Sequence, residues 1–174
     1  MSAAEVLRRH WNDSGERLDR RLDGLTDREY FWSPVPSCWT VRPHVSLPDR
    51  WDIDYDWPTP EPPPFTTIAW RLVHLANGNW IYWEHAFGPG ERMFPDLVVP
   101  GTADGAVTYW RDSRAPITSW LDAATDEELP QLRPSHLGAP RRAGDVMLIL
   151  LDEQVHHGAE IGVMRDLYRA LASG

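Results

Sequence analysis

The sequence predicts an all-α protein, a four-helix bundle with a long Trp- and Pro-rich loop between its first and second helices. Three observations predict it. Four long segments repeat apolar residues at helical spacing, no segment alternates convincingly as a strand, and proline- or glycine-rich stretches separate the four. At 174 residues the chain reads as one domain spanning 1–174.

The first helix is expected over residues 3–24. Val6, Trp11, Leu18, Leu22 and Leu25 recur at an approximately helical period among Arg, Asp and Glu, and Ser2 with Glu5 fits a capping box. Thr26-Asp27-Arg28-Glu29 carries a second cap signal, for a short helical turn. Residues 32–64 change character. They hold Pro34, Pro36, Pro43, Pro48, Pro58, Pro60 and Pro62 to Pro64, which break regular structure. They also hold Trp32, Trp39, Trp51 and Trp57, and disordered segments are poor in aromatics. The segment therefore reads as an ordered loop packed over one end of the domain, and long ordered loops often carry function.

The second helix is expected over 65–86. Pro64 precedes it, Thr66 or Thr67 can cap it, and Gly88-Pro89-Gly90 ends it. Ile68, Ala69, Leu72, Val73, Leu75, Ala76, Trp80, Ile81 and Trp83 lie nearly all round it, which marks a central, buried helix. Residues 91–101 connect it to a third helix over 103–124, through Val107, Trp110, Ile117, Trp120 and Leu121. Thr125-Asp126-Glu127-Glu128 offers another capping box, and residues 130–140 read as a loop. The last helix runs from about 142 to 171.

Charge and composition exclude several classes of function. A net charge of −9 and a pI of about 5.1 argue against nucleic acid or an anionic membrane surface as partner. The single cysteine, Cys38, excludes an internal disulfide and a cysteine-rich zinc site. No run approaches the roughly 18 apolar residues of a membrane span, and Met1-Ser2-Ala3-Ala4-Glu5 lacks a signal pattern, so a soluble, cytoplasmic protein is expected. All 17 basic residues are arginine, a bias that fits a GC-rich, actinobacterial genome.

The chemistry concentrates in two segments. Trp70-Arg71-Leu72-Val73-His74-Leu75-Ala76 and Asp152-Glu153-Gln154-Val155-His156-His157-Gly158-Ala159-Glu160-Ile161 each set histidine inside an apolar helix. On a wheel, Val146, Leu150, Glu153, His157, Ile161, Met164, Tyr168 and Leu171 share one stripe. Glu153 and His157 stand one turn apart in its middle, while His156 and Asp152 fall at its edge. Glu160 borders the same face, where it can orient a ligand imidazole. His74, Glu153 and His157 then supply three protein ligands with further positions left open, as in catalytic sites. Two imidazoles and one carboxylate suit zinc, nickel or ferrous iron. The competing reading is a core in which these groups satisfy one another. Leu148, Leu151 and Val155 point away from the stripe and offer a dimer surface or a seat for the Trp-rich loop.

Other residues carry weaker signals. Cys38 lacks a basic neighbour to activate it and reads as a packing residue. His44 and His136 lie in loops that can approach the site or stay in solvent. No Gly-rich phosphate loop, nucleophile elbow or His-Glu-x-x-His motif is present.

Leu25-Thr26-Asp27-Arg28-Glu29 with Trp32 and Pro34, Ser37-Cys38-Trp39-Thr40, Thr67 to Leu75, and His156-His157-Gly158-Ala159-Glu160-Ile161 follow in an order and spacing that resembles the DinB-like superfamily of metal-dependent enzymes. The resemblance covers most of the chain. It implies an up-down-down-up bundle, often a homodimer, with a divalent metal at one end. It carries a metal-ligand role onto His74 and His157. The family's remaining histidine is replaced here by Glu153. The resemblance also implies chemistry on a low-molecular-weight thiol, mycothiol in an actinobacterial member, in S-transfer. Trp39, Trp70 and Trp80 would wall an apolar pocket for the small-molecule substrate. The replacement at Glu153 keeps an alternative open, an inactive bundle serving as a small-ligand-binding or protein-interaction module.

Overall fold

The computed structural model describes residues 1–172 and is mostly helical, as the sequence predicts. Four long helices account for most of it: α1 (Ala3–Leu22), α3 (Ile68–Ala86), α4 (Ala103–Ala123) and α5 (Ala143–Ala172), with a one-turn α2 at Asp27–Tyr30. Helix α1 starts at the expected capping box, where Ser2 accepts from the Glu5 amide and Glu5 accepts from the Ser2 amide. Helix α2 has the same box, built from Thr26 and Glu29. Thr67 rather than Thr66 caps α3, and Thr102 caps α4.

The contacts fix the direction of each helix pair. Arg8 reaches the Leu121 carbonyl and Arg111 pairs with Asp19, so α1 and α4 run antiparallel. Tyr109 bonds Asn77, and Asn79 bonds Ser113, so α3 and α4 run parallel. Gln154 meets Ser14, and Arg21 meets Asp166, so α1 and α5 run parallel. Arg71 meets Glu160, and His74 meets Glu153, so α3 and α5 run antiparallel.

The apolar faces converge on two clusters. The larger joins Leu18, Leu22, Leu72, Leu75, Trp110 and Ile161, and the smaller joins Trp11, Ile117, Leu121, Val146 and Leu150. Val6, expected on the inner stripe of α1, is 36% exposed; Ala4 and Gly15 take inner places because small residues fit where α1 nears α4. At Gly15 an added Cβ would lie 1.9 Å from the Arg114 guanidinium. Leu171, expected on the inner stripe of α5, is exposed near the end of the helix, while Gln154 and Arg165 are buried against α1.

Two short antiparallel hairpins break the expectation that there are no strands: β1 (Val41–Pro43) with β2 (Trp51–Ile53), and β3 (Leu132–Arg133) with β4 (Arg141–Arg142). Runs of two or three residues are too short for an alternating pattern to be legible. The first hairpin orders the Trp-rich loop. Trp39 pairs with Thr66 in a parallel bridge, Thr40 shares a hydrogen bond with Thr67, and the Thr40 amide donates to Asp54. The second hairpin feeds α5, whose first amides, from Ala143 and Gly144, donate to the Gln131 and Leu129 carbonyls. Thr125 to Glu128 forms a turn rather than a helix start, and Asp126 accepts from the Ala3 and Ala4 amides at the start of α1. Among the described residues, no helix is long and apolar enough to cross a membrane.

Candidate metal centre

The centre lies between the first half of α3 and the middle of α5. Nε2 of His74 lies 3.0 Å from Oε2 of Glu153, and Nε2 of His157 lies 3.4 Å from the same oxygen. All three ligand atoms fall within 4.8 Å of one another. Donors around a tetrahedral ion with bonds of roughly 2 Å stand about 3.4 Å apart, so the set fits with small side-chain adjustments. The donor types suit a borderline divalent ion. Each of the three residues is half-buried, so the cluster is fixed by its surroundings and still open on one side.

Neighbours hold each imidazole in place. The Trp70 indole stacks on His74, with ring centres 4.6 Å apart and planes 10° from parallel. It also meets the edge of His157 at 6.0 Å. Trp70 is itself tethered, because its Nε1 donates to the Asp54 carbonyl at 2.7 Å. Nδ1 of His157 lies 2.6 Å from Oε2 of Glu160, and the buried Arg71 brings Nε to 3.1 Å from that oxygen. The result is a chain of polar contacts, Arg71 to Glu160 to His157 to Glu153 to His74. A carboxylate on the far nitrogen of a ligand imidazole fixes its tautomer and raises its basicity.

Electrostatics keep the carboxylate ready. Burial pushes the Glu153 carboxyl up, but hydrogen bonds and charge from His157 and His74 outweigh it and hold the group well below the usual carboxylate range. Burial lowers the Arg71 guanidinium, and Glu160 and Cys38 oppose that shift.

The structure thus brings together His74, Glu153 and His157, with Glu160 behind them. Trp39 stands beside Trp70, with ring centres 6.0 Å apart. Trp80 is placed elsewhere. It lies about 120° round α3 from His74, and its ring meets Trp83, Tyr109 and the Arg92 guanidinium. His156 sits at the rim, with Nε2 4.0 Å from Glu153. His44 stays in its own turn, where Nδ1 accepts from the Ser46 and Leu47 amides. Cys38 is buried and its thiol donates to the Val35 carbonyl. Two contributors escape the sequence reading. Arg71 is legible in principle, three residues before His74 on the same helix. Asp54 acts through its main-chain carbonyl, which leaves no sequence signal.

A helical protein with two imidazoles and a carboxylate gathered between its second and last long helices is the class defined by this fold and site. The model of the DinB superfamily matches residues 10–161, and the chain belongs to that family. The solved structure of a DinB-like protein from Bacillus cereus ATCC 10987 is similar, with a TM-score of 0.64 and 17% identity over 94% of this chain and 91% of that one. A conserved protein from Enterococcus faecalis is similar with a TM-score of 0.58 and 16% identity, over 96% of this chain and 97% of that one. At these identities the likeness concerns the fold. No match was found among curated proteins.

Proposed function

We propose that this protein is a metal-dependent enzyme in which His74, Glu153 and His157 hold one divalent ion, either zinc, nickel or ferrous iron. The observation that carries the reading is the convergence of three ligand atoms within 4.8 Å from two separate helices. We further propose a low-molecular-weight thiol of the mycothiol type as co-substrate and S-transfer as the reaction. The ion, when bound, supplies a Lewis acid that makes thiolate available at neutral pH. The chain's own residues do the positioning. Glu160 accepts from Nδ1 of His157 and so aims Nε2 at the centre. Trp70 fixes the plane of His74, and Trp39 and Trp70 offer an apolar wall to the substrate.

The finer architecture in this reading is an up-down-down-up four-helix bundle, supported by the directions of the four helix pairs. It works in the cytoplasm as a homodimer. Exposed Leu148 and Val155 on α5 support the dimer.

Metal analysis of protein purified without a histidine tag tests the proposal. Binding of zinc or nickel at micromolar concentration is expected, and its absence sinks the metal reading. A second reading has its own support. Glu153 already satisfies both imidazoles, which suits an inactive bundle that binds a small ligand or a partner protein. His157→Ala separates the two. Loss of metal with the fold retained favours the enzyme; loss of stability without any metal effect favours the inactive bundle.

A further inference from the structure

Beyond the centre, α3 carries a second group of polar residues. Gly78, Tyr82 and His85 lie within about 80° of His74 round the helix, on one side. These four residues are half-buried, whereas Leu75, Asn79 and Glu84 beside them are buried. A Cβ added at Gly78 would meet nothing within 4 Å, so the strip stays open between His74 and Tyr82. At the rise of a helix, the strip extends about 12 Å from His74 to Tyr82.

At the far end Nε2 of His85 lies 3.0 Å from the Arg92 carbonyl, while two nearby nitrogens lack such a partner. The His136 ring packs edge-on against Tyr82 at 4.7 Å and lies 6.0 Å from His85. Nδ1 of His136 and Nε of Arg141 are buried without a hydrogen-bond partner. Among the described residues, neither has a carboxylate at ion-pairing distance. Buried donors without partners cost stability, so they are expected to serve a ligand. Burial raises the Tyr82 hydroxyl, Arg141 opposes that shift, and Glu153 adds to it.

We propose that Tyr82, His85, His136 and Arg141 form a carboxylate-binding subsite at the far end of this strip, so that an elongated acidic small molecule lies along α3 with its reactive end at His74, Glu153 and His157. The subsite deepens the functional reading given above and rests on it only for what happens at the reactive end. An arginine and a histidine held by a hairpin suit a carboxylate, which accepts charge-assisted bonds from both. The open surface at Gly78 leaves room for the middle of the ligand.

Octanoate and octanamide test the subsite. They have nearly the same shape and differ in charge. Each is titrated into the metal-free full chain and followed by the ring resonances of His136 and His85. Octanoate is expected to bind about tenfold tighter than the amide, as one charge-assisted bond allows, and to move both rings. Arg141→Gln should bring the two affinities together. Arg141 lies in the hairpin that feeds α5, so Gly78→Leu supplies an independent variant. It adds a good helix former on open surface, and it should weaken octanoate binding by obstructing the strip. Equal affinity for acid and amide, or an octanoate response that leaves both rings unmoved, overturns the subsite. The titration contains no metal, so a failure to take up zinc counts against the metal reading alone.

Discussion

Oε2 of Glu160 sits 2.6 Å from Nδ1 of His157, on the side of the imidazole that faces away from Glu153. That contact decides which nitrogen of His157 is free to act as a ligand. Arg71 keeps Glu160 in place from α3, so the two helices that supply the proposed ligands also supply their support.

Glu160→Gln therefore lowers zinc affinity with little change in fold. Loss of such an outer carboxylate typically weakens a metal site by about 10- to 100-fold. Competition with a fluorescent zinc chelator measures it. An affinity within twofold of the parent, against that expectation, would show that Glu160 does not govern the imidazole.

The buried pair of Glu29 and Arg165 sets an acid limit on stability. Nε of Arg165 lies 3.0 Å from Oε1 of Glu29, and both side chains are at most 5% exposed. Burial pushes the Glu29 carboxyl up, but Arg165, the Thr26 amide and Arg169 together bring it below its ordinary value of 4.5. The folded state thus binds its proton more weakly than the unfolded state. The contribution is complete above pH 4.5 and is lost as the pH falls through the lowered folded value. Glu29→Gln should cost about 3 kcal/mol at pH 7, because Arg165 is left buried without its charge partner. Urea unfolding at pH 7 and again near pH 3 measures the gap, which should narrow in acid. A gap that does not change with pH removes the ion pair as its cause.

Packing of α1 against α4 depends on a missing side chain. Arg114 lies with its guanidinium 5.0 Å from the Trp11 ring centre and 5.2 Å from that of Trp110. It donates to Gln154 and to the Trp11 carbonyl. A Cβ at residue 15 would overlap that guanidinium. Gly15→Ala adds helix propensity but displaces a partly buried cation from its bonds. A net loss of about 1–3 kcal/mol is expected, measured by thermal unfolding. A gain in stability would mean that Arg114 can swing out without loss.

The main helices and the three proposed ligands were legible because both rest on helical periodicity. Glu153 and His157 share a stripe with Val146 and Leu150, and a four-residue spacing on a helix survives any detail of packing. The partners of the ligands were only half legible. Glu160 follows from the same wheel, but the Arg71 link crosses between helices. The tryptophans of the long loop predict an ordered segment packed over one end. Its hairpin and the Asp54 carbonyl that tethers Trp70 depend on main-chain bonds that no side-chain pattern encodes. Trp80 shows the opposite error: a tryptophan near His74 in sequence faces a different helix, because six residues turn it away from the site.

The residue at position 153 separates a metal centre from a self-satisfied core. Glu153→His replaces the carboxylate with a third imidazole at the same place on α5. Imidazole nitrogen binds zinc about as closely as a carboxylate oxygen, at roughly 2.0–2.2 Å, so a metal centre should still take up zinc. The metal-free protein should behave differently. Glu153 is the acceptor shared by His74 and His157, and a histidine there offers no anion to either. Thermal stability without metal should fall, and added zinc should restore it, because an ion that binds only the folded state stabilises it. Melting curves with and without zinc give both quantities in one experiment. A variant that loses stability and regains none of it with zinc would mean that the three residues hold the core together and nothing else.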